Sequence, residues 1–324
     1  MVVPAVRSDR VDTFRPGDMI SAYRVDGLVG SGGMGWVYRA THVLAPHVAA
    51  LKVLRHDQLA QDHAVDRMMR EATILASVAH PGMPQFFECG LLADGRPWIA
   101  MELVQGTPLQ DVMAAGPLPH AAVRALLRDV AGVLSSAHAR GVTHRDLKPD
   151  NVFLTPGDRR HGVRVIDWGI AHREAGARYT NHNEAIGTPT YMSPEQARGG
   201  QPDSQCDLYG LGVVAYEALV GNPPFVGQSS IEVLVQHLNK PVPALGPRCP
   251  TAPLALVDLV ERMLSKHPPS RPTAAAVVEA MEALEADPAP LSTGSAACDR
   301  TGSYPAVIED AYSSRTVPVW VPHK

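Results

Sequence analysis

The sequence predicts an α+β chain in two parts: a small antiparallel-sheet lobe carrying one helix, then a larger, mainly helical lobe. Three observations carry that reading. β-prone runs crowd residues 23–54 and return at 83–103, with a single helical stretch between them. From residue 121 onward the apolar spacing is that of helices. The 324 residues with 45% hydrophobic content are enough to fill a sizeable core.

Taken in order, Tyr23, Val25 and Leu28 lead into a glycine cluster, Trp36-Val37-Tyr38 resumes a β-prone run, and residues 48–54 supply another. Over 65–79 the residues Val65, Met68, Met69, Ala72, Leu75, Ala76 and Ala79 line one face of a helix. Strands are expected at 83–92 and 98–103, with Ala93-Asp94-Gly95-Arg96 as the turn between them. After Val104-Gln105-Gly106 the character changes. Val123, Leu126, Leu127, Val130 and Leu134 predict a helix over 121–138, and further helices are expected at 206–220, 230–238, 254–264 and 273–284, with Thr273 as N-cap of the last. Residues 287–324 hold five prolines and eight Ser or Thr with little apolar periodicity, so a disordered tail is expected there.

Charge and cysteine usage exclude several classes. Lys plus Arg is 29 and Asp plus Glu 33, so the net charge is −4, with no basic block suited to nucleic acid. Cys89, Cys206, Cys249 and Cys298 form no C-x-x-C pair, which suits reduced thiols better than disulfides or zinc. The most apolar stretch, 208–221, contains Glu217 and three glycines and falls short of the ~20 residues a membrane span needs. No secretory signal is read at the start, so a soluble cytoplasmic protein is expected. The 14 histidines show no metal-ligand spacing, and His144 alone draws a structural role.

Gly30-Ser31-Gly32-Gly33-Met34-Gly35 matches G-x-G-x-x-G, a pattern shared by dinucleotide folds and loose turns. Context favours a hairpin flap: the glycines run into Trp36-Val37-Tyr38 and not into a helix, and the next charge in a strand-like run is Lys52. Such a flap brings backbone N–H groups close to phosphate oxygens, with Lys52 as the matching cation. Leu51 and Val53 flank Lys52, so its side chain points opposite to theirs, and an inward lysine needs a partner. Glu71, beside the apolar stripe of its helix, is the candidate; alone it reads more readily as an ordinary solvated helix charge, and together with Lys52 and the flap as the partner.

His144-Arg145-Asp146-Leu147-Lys148-Pro149-Asp150-Asn151 is dense in functional groups. Asp146 can accept the proton of an incoming hydroxyl, Lys148 can steady a transferred phosphoryl group, and Asn151 can present its amide oxygen to a metal. Sixteen residues beyond Asn151, after the apolar run 163–166, comes Asp167-Trp168-Gly169, an acid at a strand end followed by a glycine. Its carboxylate would be a hard-oxygen ligand for Mg2+, although a single Asp-x-Gly is more often only a turn.

In combination these motifs resemble the protein kinase superfamily, specifically the eukaryotic-like serine/threonine kinases of bacteria, whose glycine loop often carries the Gly-Gly-Met-Gly seen at 32–35. The resemblance covers about residues 20–286 and implies the two-lobed protein kinase fold. It divides the chain into an N-terminal extension over 1–20, a kinase domain over 21–286 with lobes 21–104 and 105–286, and the tail at 287–324. It implies ATP and Mg2+ as cofactors, Asp146, Lys148, Lys52 and Glu71 as catalytic residues, and Asn151 and Asp167 as metal ligands. Nucleotide contacts are implied for Val29, Gly30, Ser31, Gly32, Gly33, Met34, Gly35, Val37, Ala50, Lys52, Met101, Glu102 and Val104. Among these Met101 resembles the gatekeeper, and the backbone of Glu102 and Val104 would bind adenine.

Ser193-Pro194-Glu195 resembles the end of the activation segment, and Asp207 and Arg271 the structural anchors, with Glu195 and Arg271 expected to pair. Trp168 stands where most relatives carry Phe; the position asks for an aromatic body packed near Leu75, Phe86 and His144. Lys148 and Thr188 resemble the serine/threonine class, in which that threonine bridges the equivalents of Asp146 and Lys148 and contacts substrate. Arg145 beside Asp146 suggests regulation by a phosphate, with Thr180 as the expected phosphorylation site. The expected function is ATP-dependent phosphorylation of protein Ser/Thr hydroxyls by a non-specific serine/threonine protein kinase. Protein substrates are the expected partners, and a homodimer for autophosphorylation is left open. The alternatives are a pseudokinase-type binding module and a small-molecule phosphotransferase.

Overall fold

The computed structural model describes residues 13–32, 35–45, 47–60, 63–158, 160–168, 189–200 and 202–286. Of the residues singled out above, Gly33, Met34, Gly169, Thr180, Thr188, Cys298 and the expected tail lie outside the described residues. The chain divides into two compact units.

The first unit holds the described residues up to Ala72 and residues 86–103. Its strands are β1 (Met19–Ile20), β2 (Tyr23–Ser31), β3 (Gly35–His42), β4 (Val48–Leu54), β5 (Phe86–Leu91) and β6 (Pro97–Glu102). All pair antiparallel, in the order β1-β2-β3-β4-β6-β5. Strand alternation sorts the side chains onto two faces. Ala49, Leu51 and Val53 pack with Tyr38, Ala40, Trp98 and Ala100 on one face. On the other, Leu54 and Ile99 meet Ala64, Met68 and Ala72 of α1 (Ala64–Ser77). Of the apolar stripe read from the sequence, Met68, Ala72 and Leu75 are buried and Val65 and Met69 half-buried, whereas Ala76 and Ala79 are exposed. Strand β5 begins at Phe86, three residues later than expected. Pro81 and Pro84 lack ladder donors, and the N–H of Met83 closes a turn on the carbonyl of His80 at 2.9 Å.

The second unit holds residues 73–85 and the described chain from Val104 onward. Its helices are α2 (Leu109–Met113), α3 (His120–His138), α4 (Pro194–Ala197), α5 (Ser204–Val220), α6 (Ser230–Asn239), α7 (Leu254–Met263) and α8 (Ala274–Ala286). A three-stranded sheet, β7 (Thr107–Pro108), β8 (Val152–Leu154) and β9 (Val163–Val165), completes it. Helix α3 packs on α5 and α8, and α5 on α7. Helix α5 is buried almost all round, so its ends are set by caps: the Asp203 carboxylate accepts the N–H of Gln205, and Gly221 takes the left-handed conformation (φ 85°) that ends the helix. Thr273 caps α8, its hydroxyl accepting the N–H of Ala276 at 3.2 Å. Among the described residues no helix is long and apolar enough to cross a membrane.

Candidate active site

In the first unit the flap is the β2–β3 hairpin, with Gly30 opposite Val37 and Ser31 opposite Trp36. Gly35 opens β3 so close to β4 that a Cβ there would lie 2.4 Å from the carbonyl oxygen of Val53; only glycine fits. The N–H of Gly32 closes on the carbonyl of Gly35 at 2.9 Å. Register then fixes a row of side chains. Val37 faces Lys52, Lys52 faces Ile99, and Ala50 faces Met101, so Val37, Ala50, Lys52 and Met101 share the α1 face of the sheet. Lys52 Nζ donates to both Glu71 carboxylate oxygens at 2.9 Å, and the two side chains are only 12% and 8% exposed. Packing thereby resolves the two readings that sequence left open for Glu71. Val29 and Glu102 are half-buried, and Val104, the first residue of the second unit on this side, is buried.

In the second unit the segment 144–151 is held from below by Asp207, near the start of α5. This carboxylate accepts the backbone N–H of His144 at 2.8 Å, that of Arg145 at 2.7 Å and Nε2 of His138 at 2.8 Å. Arg145 sits at φ 70°, a conformation a side chain adopts only where neighbours hold it. Asp146, 40% exposed, accepts a hydrogen bond from Lys148 Nζ at 2.9 Å. The amide of Asn151 donates to the Asp146 carbonyl at 2.8 Å. Burial pulls the Lys148 ammonium pKa down, but the charges of Asp146, Asp150 and Asp167 around it hold it above the ordinary lysine value. Those four predicted or neighbouring residues therefore share one electrostatic environment.

Asp167 follows β9 and sits at φ 53°. Trp168 next to it is fully buried, its ring centroid 4.9 Å from that of His144, and its indole N–H donates to the carbonyl of Val165 at 3.0 Å. Among the described residues no three His, Cys, Asp or Glu gather into a metal-holding cluster. One carboxylate, Asp167, and one amide oxygen, Asn151, whose NH2 is already engaged by Asp146, form a hard-oxygen set too small to cage a cation alone. This suits Mg2+, which takes one or two protein ligands and completes its shell from phosphates and water.

Further contacts surround these segments, most of them not legible in the sequence. Tyr191 donates to Glu217 at 2.7 Å. Burial, reinforced by the charge of Asp150, raises the Glu217 carboxyl above the usual range. Gln196, which forms a capping box with Ser193 at the start of α4, also donates to the Arg145 carbonyl at 2.8 Å. His138 shares with His144 the structural role expected of His144 alone. Glu195 and Arg271 form the expected pair in a two-pronged geometry, with oxygens at 2.6 and 2.9 Å. Although burial opposes it, Arg271 holds the Glu195 carboxyl below its ordinary value.

The protein kinase domain family matches residues 23–281. The chain is 40% identical over 268 residues to the serine/threonine-protein kinase pkn3 of Myxococcus xanthus, covering 80% of this chain and 49% of that one. To PrkC of Bacillus subtilis it is 31% identical, covering 82% of this chain and 40% of that protein. It thus spans half or less of the length of these curated relatives. Among solved structures, the PknI kinase domain of Mycobacterium tuberculosis superposes with a TM-score of 0.65 at 30% identity, covering 84% of this chain and 99% of that one.

Proposed function

The chain belongs to the protein kinase domain family, and from that premise we propose that it is a serine/threonine protein kinase, moving the γ-phosphoryl group of ATP onto Ser or Thr hydroxyls of proteins. The observation that carries this reading is the loop at Asp146, where an accessible carboxylate is held by Lys148 and by the peptide that Asn151 anchors.

In this mechanism Asp146 orients the acceptor hydroxyl and takes its proton as the hydroxyl oxygen bonds to the γ-phosphorus and the bond from phosphorus to the β-phosphate bridging oxygen breaks. Lys148, kept charged by the acids around it, offsets charge on the transferring group. Lys52, held by Glu71, meets the nucleotide phosphates. Val29, residues 30–35, Val37, Ala50, Met101, Glu102 and Val104 complete the nucleotide contacts. Asn151 and Asp167 would hold Mg2+, which when bound neutralises phosphate charge.

Thr188 contacts the protein substrate, and phosphorylated Thr180 delivers its phosphate to Arg145. The buried Nε of Arg145 has no hydrogen-bond partner among the described residues, which supports that role. A second copy of the chain would catalyse that phosphorylation, with ATP as the phosphoryl donor. The free thiols of Cys89, Cys206 and Cys249 fit a reducing, cytoplasmic setting.

Transfer of labelled phosphate from ATP to a generic basic protein tests the reading. Asp146→Asn is expected to lower kcat about a hundred- to ten-thousandfold with ATP binding preserved. Turnover at the wild-type rate in that variant would remove Asp146 from the chemistry.

A further inference from the structure

We propose that Trp168 is a positioning residue whose indole N–H, bonded to the Val165 carbonyl, fixes the backbone that presents the Asp167 carboxylate. The proposal rests on the reading of Asp167 as a metal ligand.

Register supplies the first step. The N–H of Ile166 bonds the carbonyl of Asn151, and that of Thr155 the carbonyl of Gly162, both at 2.9 Å. Hydrogen-bonded positions alternate along an antiparallel ladder, so Val165, opposite Val152, occupies a non-bonded position and its N–H and C=O point away from β8. Both must find partners elsewhere. The N–H reaches the Gly82 carbonyl at 2.8 Å, and the C=O accepts Trp168 Nε1 at 3.0 Å. At the next residue the carbonyl of Ile166 pairs with Nε2 of His144 at 2.9 Å. All four backbone polar groups of the two residues before Asp167 are therefore engaged.

Three of those four bonds would survive with any aromatic residue at 168. The fourth needs a donor on the ring, and phenylalanine has none. Val165 and Trp168 are both buried, so a carbonyl released from the indole has no ready access to water. Asp167 itself is at φ 53°, a left-handed conformation that a side-chain-bearing residue keeps only where its neighbours over-determine it. The indole bond closes a loop across this residue, from position 168 back to 165. Where a ligand binds only one backbone conformer, its apparent affinity scales with that conformer's population. Loosening the loop should therefore weaken the Mg2+-dependent part of nucleotide binding and leave the Mg2+-independent part alone.

Trp168→Phe keeps an aromatic body and deletes the donor. Calorimetric titration of ATP at stepped Mg2+ concentrations is expected to show the Mg2+ needed for half-maximal affinity rising about three- to tenfold, with ATP binding in EDTA unchanged. A folded variant with wild-type Mg2+ dependence overturns the proposal. A second measurement needs only chains with Trp168 in place. Its indole N–H resonance, assigned through Trp36→Phe, Trp98→Phe and Trp320→Phe, is expected to exchange with D2O at least about a hundredfold more slowly than an exposed indole. Exchange at the exposed rate overturns the pin even if Trp168→Phe fails to fold. Wild-type protein that binds no ATP at any Mg2+ concentration refutes the kinase reading instead, and indole exchange then judges the bond on its own.

Discussion

Lys52 and Glu71 lie almost out of water, and removing two charges from solvent costs several kcal/mol that their attraction only about offsets. The pair is therefore weak as a stability device, and its value is to hold an ammonium at a fixed place on the α1 face of the sheet. That separation of roles is measurable. Lys52→Met strands the Glu71 carboxylate and should lower unfolding free energy by about 1–3 kcal/mol. Adding Glu71→Met should recover most of that stability, because two apolar chains of similar volume replace the pair. Phosphate transfer should remain depressed at least about a hundredfold in both variants. Denaturant titration beside the transfer assay reads the two quantities; recovery of transfer in the double variant would sink the assigned role of Lys52. Its inward direction was legible from Leu51 and Val53 alone, because strand alternation is a local rule. Glu71 was ambiguous because a residue at the edge of a helical stripe turns inward or outward according to what packs there.

The long helices were legible to within about two residues because apolar residues mark each over several turns, all round in α5 and on one side in helices such as α3 and α7. What the sequence hid was short: β1 with two residues, α2 and α4 with five and four, and strands β7 and β8 with two and three. Segments of that length hold barely more than one period, too little repetition to stand out. Helix α6 shows a further limit, since its spacing placed it correctly but did not mark His237 as fully buried. There Nδ1 pairs with the Tyr209 hydroxyl at 2.9 Å, and the ring stands edge-on to Phe225 at 4.9 Å between centroids. Burial first, and then the charge of Lys266, lower the His237 pKa to about 4. The unfolded chain takes up this proton near pH 6.5 and the folded protein only near 4, so stability is full above 6.5 and is lost as pH falls through that window. At pH 4.5 the loss relative to pH 7.5 should be about 2–3 kcal/mol from this residue. His237→Gln should flatten the slope by that amount in denaturant titrations at the two pH values, and an unaltered slope would assign the acid sensitivity to other groups.

At the scale of the whole molecule, legibility followed sequence distance. Residues 144–151 could be read because Asp146, Lys148 and Asn151 act within six residues of one another. The grouping of Asp150, Tyr191 and Glu217 exists only after α5 has packed, and no local pattern announces it. Glu195 and Arg271, 76 residues apart, were paired by resemblance, and their packing shows what the pair does. The Arg271 side chain is fully buried and spends its donors on three segments: both oxygens of Glu195, the carbonyl of Gln205 at 2.7 Å and that of Ser265 at 2.8 Å. Its guanidinium also lies over the Tyr209 ring, 4.9 Å from the centroid. One planar fork thus ties α4, the start of α5 and the chain after α7 together. Arg271→Met would leave a half-buried carboxylate and two carbonyls without their donor, an expected loss of about 3–5 kcal/mol. Arg271→Lys should recover little of it, because a single ammonium cannot reach three directions at once. Thermal and denaturant unfolding of both variants would test this, and wild-type stability in Arg271→Lys would show that charge alone, without the fork, holds the three segments.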